Sequence, residues 1–387
     1  GEPADGVHGG DVLREFRSRL RHRNDHPRSM MEALLGGESV TNVEAELLAD
    51  LYDQAAPHAF SAYLHGKKHT DLRFVIRPRG ALPQIMSPEE VAVIHVDPGA
   101  DAEGIWYHTH LASEWKSGAV GSMEDKRIFA TEHYRIETVI GGNDHLSATC
   151  ELRTRSLATG PRVLKFSLLP ALRVTRAAMD GKDIAFIQES RKEDGSFYAI
   201  LPAPLQKDAS HTLTFEYEGN KVVEKAGGGT FYFFFLESWY PNANAFGEHS
   251  TFDLTFKVPK RYTLVSVGKL VKEWKEDNYA ATRWVSETPL AVAGFNYGQF
   301  KRKSRTDEAA KYDFETYASS EVPDYLKNTV ENLTPSGMAD SAMTDAQNAV
   351  RVLQQFFGPL PYGRIAITQQ PDFNFGQSWP TLVYLPV

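Results

Sequence analysis

Thr251-Phe-Asp-Leu-Thr-Phe-Lys-Val-Pro259 sets the period on which the fold reading rests. Apolar Phe252, Leu254, Phe256 and Val258 alternate with Asp253, Thr255 and Lys257, the two-residue repeat of a strand with one buried face. Working outward, strand-like runs recur at Tyr134–Val139, Val163–Leu168, Phe197–Leu201 and Leu213–Tyr217. Turn signals stand between them at Gly141–Asp144, Asp180-Gly181, Asp194-Gly195 and Gly227–Gly229. Many short strands with frequent turns predict an antiparallel β-sandwich over 127–303.

The flanks read differently. Residues 1–58 read as a disordered, glycine-rich start followed by helices. One helix is expected over Asp11–Arg23, with Asp11 as its cap and Val12, Leu13, Phe16 and Leu20 at helical spacing. Its arginines, Arg14, Arg17, Arg19, Arg21 and Arg23, read as a solvated face. A second helix is expected over Val40–Ala55, with Val43, Leu47, Leu48 and Leu51 as its apolar stripe. Residues 59–126 read as a leading β module. A hairpin joins Phe60–His65 to Asp71–Arg77 through Gly66–Lys68, and strands follow at Val91–Val96 and Gly104–His110.

After the sandwich, Lys301–Arg305 reads as a charged linker and 304–387 as the incomplete start of an α/β domain. A helix is expected over Met338–Phe357, its stripe being Ala339, Ala342, Met343, Ala346, Ala349, Val350, Leu353 and Phe357. Gly358-Pro-Leu-Pro361 stops it, and a short strand follows at Ile365–Thr368. The final stretch, Pro371–Val387, reads as an edge strand. Gly376 is followed by the polar pair Gln377 and Ser378, then Trp379 and an apolar run, so an extended peptide could lie against its backbone.

Composition bounds the function. With 42% hydrophobic and 24% charged residues the 387-residue chain is ordinary globular protein, long enough for two or three domains. A net charge of −8 gives no general footprint for nucleic acid or anionic membrane. No apolar run of about 18 residues offers a transmembrane segment. The single cysteine, Cys150, lies in an alternating strand and reads as a buried structural thiol, excluding an intrachain disulfide or a cysteine zinc site. Low cysteine use suits the cytoplasm or a bacterial periplasm. Oligomeric state is not legible.

Other candidates are local. His108, His110 and Glu114 offer metal-ligand chemistry, but hydrogen-bonded histidines are commoner, and no metal ligand is assigned. Glu248-His249 reads as a loop pair, and Gly227–Gly229 lacks the Lys and Ser/Thr of a phosphate loop.

Several of these stretches, in order, resemble the M1 family of zinc metallopeptidases, the aminopeptidase N and leukotriene A4 hydrolase group, and its divergent bacterial members above all. His133–Glu137 with Leu146–Arg153 resembles the family's opening hairpin, and Leu168–Val174 through Asp180-Gly181 its next strand pair. Trp239–Asn242, Thr251–Pro259 and Tyr262–Gly268 resemble its FP…D, TFDLTVTVP and VSNG stretches, and Phe356–Tyr362 its FFE…FG.PYP helix end. The likeness covers 127–387.

The resemblance implies a saddle-like N-terminal β-sandwich leading into a thermolysin-like catalytic domain, here truncated. It implies a hydrolase acting on a peptide substrate through zinc-activated water, aminopeptidase-like in specificity. Gly376, Gln377, Ser378 and Trp379 fall on the family's G-x-M-E-N motif, whose glutamate holds the substrate amine. Only Gly376 matches, and no glutamate follows, so free-amine specificity is in question. None of the 13 histidines lies in an H-E-x-x-H motif, so zinc, its ligands, the general base and a transition-state tyrosine are expected beyond Val387. The 387 residues alone are expected to be inactive and to hold no catalytic zinc. The resemblance tilts localisation towards a periplasmic or membrane-associated bacterial setting. The alternative is a non-catalytic interaction scaffold derived from the same sandwich.

Overall fold

The computed structural model describes Arg14 and residues 42–53, 58–64, 72–78, 80, 88–95, 104–121, 126–142, 144–189, 194–232, 238–243, 247–309, 311–328, 334–370 and 376–386. The glycine-rich start, the turn at Gly66–Lys68 and the helix expected over Asp11–Arg23 lie outside these residues, apart from helical Arg14. Two compact units divide the chain, 1–128 and 129–387.

In the first unit, α1 (Val43–Asp50) precedes β1 (Phe60–Leu64), β2 (Leu72–Ile76), β3 (Val91–His95), β4 (Gly104–Thr109) and the short α2 (Ala112–Ser117). The strands form one antiparallel sheet in sequence order, with the expected hairpin in register from Phe60↔Ile76 to Leu64↔Leu72. Val75, Ala92 and Ile94 make a small core with Val43. The helix is shorter than expected and buries a different face. Leu47, Leu48 and Leu51 are exposed, while Ala45, Glu46, Ala49 and Asp50 are buried beside Val43. Polar anchors set that rotation: Arg77 Nε donates to Glu46 Oε2 at 2.5 Å, and the Ala59 N–H donates to Asp50. A buried charge must be paired, and that requirement outweighs the transfer of three leucines.

The second unit begins with β5 (Phe129–Ile140), β6 (Leu146–Ser156), β7 (Val163–Phe166), β8 (Arg173–Met179), β9 (Lys182–Asp183), β10 (Ala185–Gln188), β11 (Phe197–Ile200) and β12 (Ser210–Gly219). It continues with β13 (Glu224–Gly227), β14 (Thr230–Tyr232), β15 (Thr251–Pro259), β16 (Thr263–Ser266), β17 (Lys269–Glu276), β18 (Tyr279–Val285) and β19 (Phe295–Gly298). The last elements are β20 (Phe300–Asp307), β21 (Tyr312–Ser319), α3 (Pro335–Phe357), β22 (Arg364–Gln370), β23 (Gln377–Trp379) and β24 (Leu382–Pro386).

An eight-stranded sheet runs β17-β18-β15-β5-β6-β12-β8-β9. In β15 the burial alternates as the sequence predicts, with Phe252, Leu254, Phe256 and Val258 inward. One pair departs from antiparallel order: β15 runs parallel to β5, Thr251 facing His133. A parallel neighbour needs a long crossover. Here the intervening chain contributes the small sheet β10-β11-β7 and the strands β13 and β14, which β16 and β19 from after β15 complete into the sheet β13-β14-β19-β16. Aromatic rings join the layers, Phe197 to Phe215 at 5.0 Å and Phe256 to Phe295 at 4.7 Å between centroids. The molecule is mainly β, with the antiparallel sandwich the sequence predicts. No helix among the described residues is long and apolar enough to cross a membrane.

A five-stranded mixed sheet follows, in the order β20-β21-β22-β24-β23. Lys301–Arg305, expected as a linker, lies instead inside β20. Its charges suit an edge strand, and three of them find partners: Arg302 reaches Glu315 at 2.5 Å, Lys303 reaches Asp340 and Arg305 reaches Gln347, both at 2.8 Å. β21 and β22 are parallel, and α3 connects them. Thr334 caps α3 by accepting the Gly337 N–H at 3.1 Å, and Gly358 ends it at φ 76°. The expected stripe is buried only in part. Ala339, Met343 and Val350 are buried, the last two in a core with Tyr312, Phe314 and Ile365, but Leu353 is 51% and Phe357 82% exposed. The terminal segment is a hairpin, with β24 between β22 and β23, so only Gln377–Trp379 occupies the edge.

Candidate functional site

The terminal sheet is fixed to the sandwich by buried polar contacts from β22 and β24. The Arg364 guanidinium donates to Glu315 Oε2 at 2.7 Å, to the Ser266 carbonyl at 3.1 Å and to the Gly268 carbonyl at 2.9 Å. It also lies 4.7 Å from the ring centre of Trp284. Burial alone would raise the Glu315 pKa, but the charges of Arg364 and Arg302 override it and hold the carboxyl below its usual range. Asn296 Nδ2 donates to Thr368 Oγ1 at 2.9 Å and to the Gln369 carbonyl at 2.8 Å. The Tyr384 hydroxyl donates to the Phe295 carbonyl at 2.8 Å, and Thr381 Oγ1 accepts the Gly268 N–H at 2.6 Å.

On that base β23 pairs with β24 from Gln377↔Tyr384 to Trp379↔Leu382 and forms the sheet's outer edge. Gly376, Gln377 and Ser378 are exposed. Trp379 is half-buried beside Gly294, where an added Cβ would sit 3.1 Å from the indole Cδ1. The absence of a side chain at Gly294 thus makes room for the indole. A Cβ on Gly376 would come 3.0 Å from the Tyr384 carbonyl oxygen. The edge therefore offers backbone hydrogen-bonding groups, one neutral amide, one hydroxyl and one aromatic face. It offers no carboxylate for an ammonium group. In β22, Gln369 Nε2 and Gln370 Oε1 are buried without a hydrogen-bond partner among the described residues. Sequence reasoning missed both, since glutamines at a strand's end carry no pattern of their own.

A second cluster lies in the first unit. Glu90 just before β3, His110 just after β4 and Glu114 in α2 bring three ligand atoms within 4.8 Å of one another. Lys126 contacts both carboxylates, lies 3.3 Å from Glu114 Oε2 and donates to the Pro88 carbonyl at 2.8 Å. Burial pushes the Lys126 pKa down, with the charge of Glu89 opposing. His110 and Glu114 thus meet, as their spacing allows, but His108 is 3.5 Å from Glu89 instead. Glu90 and Lys126 escaped the sequence reading because they are distant in the chain from His110.

The remaining candidates are structural. Cys150 is fully buried, and burial pushes its thiol pKa well up. Glu248 is buried and accepts the Thr131 N–H at 2.5 Å, beside the bulge in β5. Gly227, Gly228 and Gly229 turn β13 into β14, all with positive φ, and a Cβ on Gly228 would lie 2.6 Å from the Val322 carbonyl oxygen.

No protein-family profile matches the sequence, and no curated protein matches it. Solved structures do match. The M1 zinc metallopeptidase from Deinococcus radiodurans aligns with TM-score 0.53 at 17% identity, over 67% of this chain and 61% of that one. A variant of that enzyme bound to a Tyr-Ser-Ala substrate aligns with TM-score 0.52 at 17% identity, over the same shares. A two-domain M1 zinc metallopeptidase variant bound to L-arginine aligns with TM-score 0.53 at 18% identity, over 67% and 61%. At this identity the likeness shows a shared fold, and the chain spans less than two thirds of the matched structures' length. The catalytic zinc of such enzymes does not fit the residues here: the 387 residues contain no H-E-x-x-H motif, since the two His-x-x-x-His pairs, His22/His26 and His65/His69, lack its glutamate, and the metal-ligand cluster among the described residues lies in the first unit.

Proposed function

We propose that this chain supplies the sandwich wall and the peptide-binding edge of an M1-like metallopeptidase, with 304–387 as the opening of its catalytic domain. The supporting observation is the exposed edge strand Gln377–Trp379 at the end of a mixed sheet, in a chain whose fold is similar to that of M1 metallopeptidases. An extended peptide would add to that edge through its backbone, with the Trp379 ring and the Gln377 and Ser378 side chains reading the residues that face them. On this reading zinc and its ligands come from outside these 387 residues and supply the activated water, while this chain orients the peptide. The lack of a carboxylate after Gly376 removes the strongest partner for a substrate amine, so a free N-terminus contributes less here than in enzymes that carry one.

Kinetics on the protein expressed from its whole gene test the edge. Gln377→Ala and Ser378→Ala should change kcat/KM between peptide substrates by about tenfold, in keeping with lost hydrogen bonds of roughly 1.5 kcal/mol, at unchanged Tm. Both side chains are exposed, so stability has little reason to move. Wild-type kinetics in both variants would remove these residues from the substrate site.

The missing H-E-x-x-H motif and the neutral edge favour one further reading, a sandwich retained as a binding scaffold. A protein partner bound equally well with and without chelator, together with no peptide hydrolysis, would select it.

A further inference from the structure

The Glu90, His110 and Glu114 cluster has the spacing of a coordination shell rather than of a hydrogen-bonded one. His110 Nδ1 is 3.3 Å from Glu90 Oε2 and 3.3 Å from Glu114 Oε2, and it has no hydrogen-bond partner among the described residues. A tetrahedral ion with bonds of about 2.0–2.1 Å separates its ligands by roughly 3.3–3.4 Å. The His110 and Glu90 side chains are 8% and 1% exposed, whereas Glu114, at 24%, leaves one side open to solvent.

The cluster is also built from behind. Glu90 Oε2 accepts the Leu111 N–H at 3.0 Å, and the Trp115 ring lies edge-on to His110 at 6.0 Å. Trp115 is itself held by its Nε1–H, which donates to Thr109 Oγ1 at 3.1 Å. These contacts limit how the ligands can turn, as supporting contacts do around metal ligands. Two carboxyl groups face one amine, Lys126, so the cluster offers a divalent ion more acidic than basic groups.

We propose that Glu90, His110 and Glu114 form a divalent-cation site of the zinc class in the first unit, with Lys126 as the counter-charge that the cation displaces. One imidazole nitrogen and two carboxylate oxygens suit Zn2+, Co2+ or Mn2+. Calcium requires six or more oxygens, and copper(I) requires soft sulfur. The ion would tie the start of β3 to the end of β4 and to α2. The proposal does not depend on the peptide-binding reading.

The test is binding by the intact chain after chelator treatment and dialysis, with Co2+ as a spectroscopic probe and Zn2+ as competitor. One Co2+ per chain should give the visible bands of a four-coordinate ion, lost on adding Zn2+, and Zn2+ should raise Tm. Glu114→Gln should weaken binding at least about tenfold. Lys126→Met should tighten it several-fold, since the competing ammonium is gone. Glu114 is partly exposed and its variant is expected to keep the fold, which an unchanged metal-free Tm would check, so the test survives if Glu90→Gln unfolds the unit. No binding in either the wild type or Lys126→Met would overturn the proposal. So would binding that Glu114→Gln and His110→Gln leave unchanged.

Discussion

In the eight-stranded sheet the inward residues of β15 are buried under a second layer, and their rings interlock with Phe295 and Trp239. In the five-stranded sheet the single helix α3 buries Ala339, Met343 and Val350, but its last turns leave Leu353, Phe356 and Phe357 in solvent. The first region rests mainly on area removed from water. The second rests on polar contacts to the sandwich, centred on Arg364, and its helix leaves large apolar groups unused. Apolar burial is tolerant of detail, whereas a buried ion pair fails when one partner is lost.

The largest expected effect follows from that contrast. Arg364→Met should cost about 3–5 kcal/mol, because it leaves the Glu315 carboxylate buried and without its main partner. Denaturant unfolding of the second unit measures this, and adding Glu315→Leu should recover most of it. A loss below about 1 kcal/mol would mean that apolar contacts hold the terminal sheet after all. Next comes Gly228→Ala, expected to cost about 1–3 kcal/mol by putting a methyl group at positive φ against the Val322 carbonyl. Its main consequence should be looser seating of 319–324, since the Ser319 hydroxyl donates to the Gly228 carbonyl at 2.7 Å.

A pH scan gives a smaller signal. The depressed pKa of Glu315 contributes stability that is fully present above the ordinary glutamate value of about 4.3. That contribution is lost as pH falls through the lower folded value. Stability of the second unit should therefore drop between about pH 4.3 and lower values, and Glu315→Gln should flatten that part of the curve. The smallest thermodynamic effect belongs to Phe356→Ser with Phe357→Ser, expected within about 0.5 kcal/mol of wild type because both rings are exposed. The same change should lower self-association in sedimentation, and limited proteolysis should cut 304–387 before 129–300.

The two regions were not equally legible. The sandwich followed from alternation, because Phe252, Leu254, Phe256 and Val258 face one way by the pleat alone. The parallel seat of β15 beside β5 did not follow, since strand neighbours are set by the whole layer. Helical spacing placed α3, yet the fate of Leu353 and Phe357 depends on what lies beyond the helix, which no periodicity encodes. In α1 the leucine stripe misled because Glu46 and Asp50 had partners elsewhere in the chain. The terminal segment was read as strand, but its hairpin turns on Thr381 at φ 72°, an unusual place for a β-branched residue. The polar groups that converge on Lys126 come from separate segments, so only the fold assembles them.

The central claim is that this fold presents peptides to a zinc site through the edge at Gln377–Trp379. Its most direct test is hydrolysis of a broad peptide panel by the protein expressed from its whole gene, before and after chelation and zinc replacement, in wild type and Ser378→Ala. The account predicts cleavage that chelation abolishes and zinc restores, with a peptide preference altered in the variant. No cleavage of any peptide, or cleavage indifferent to chelator, would contradict it.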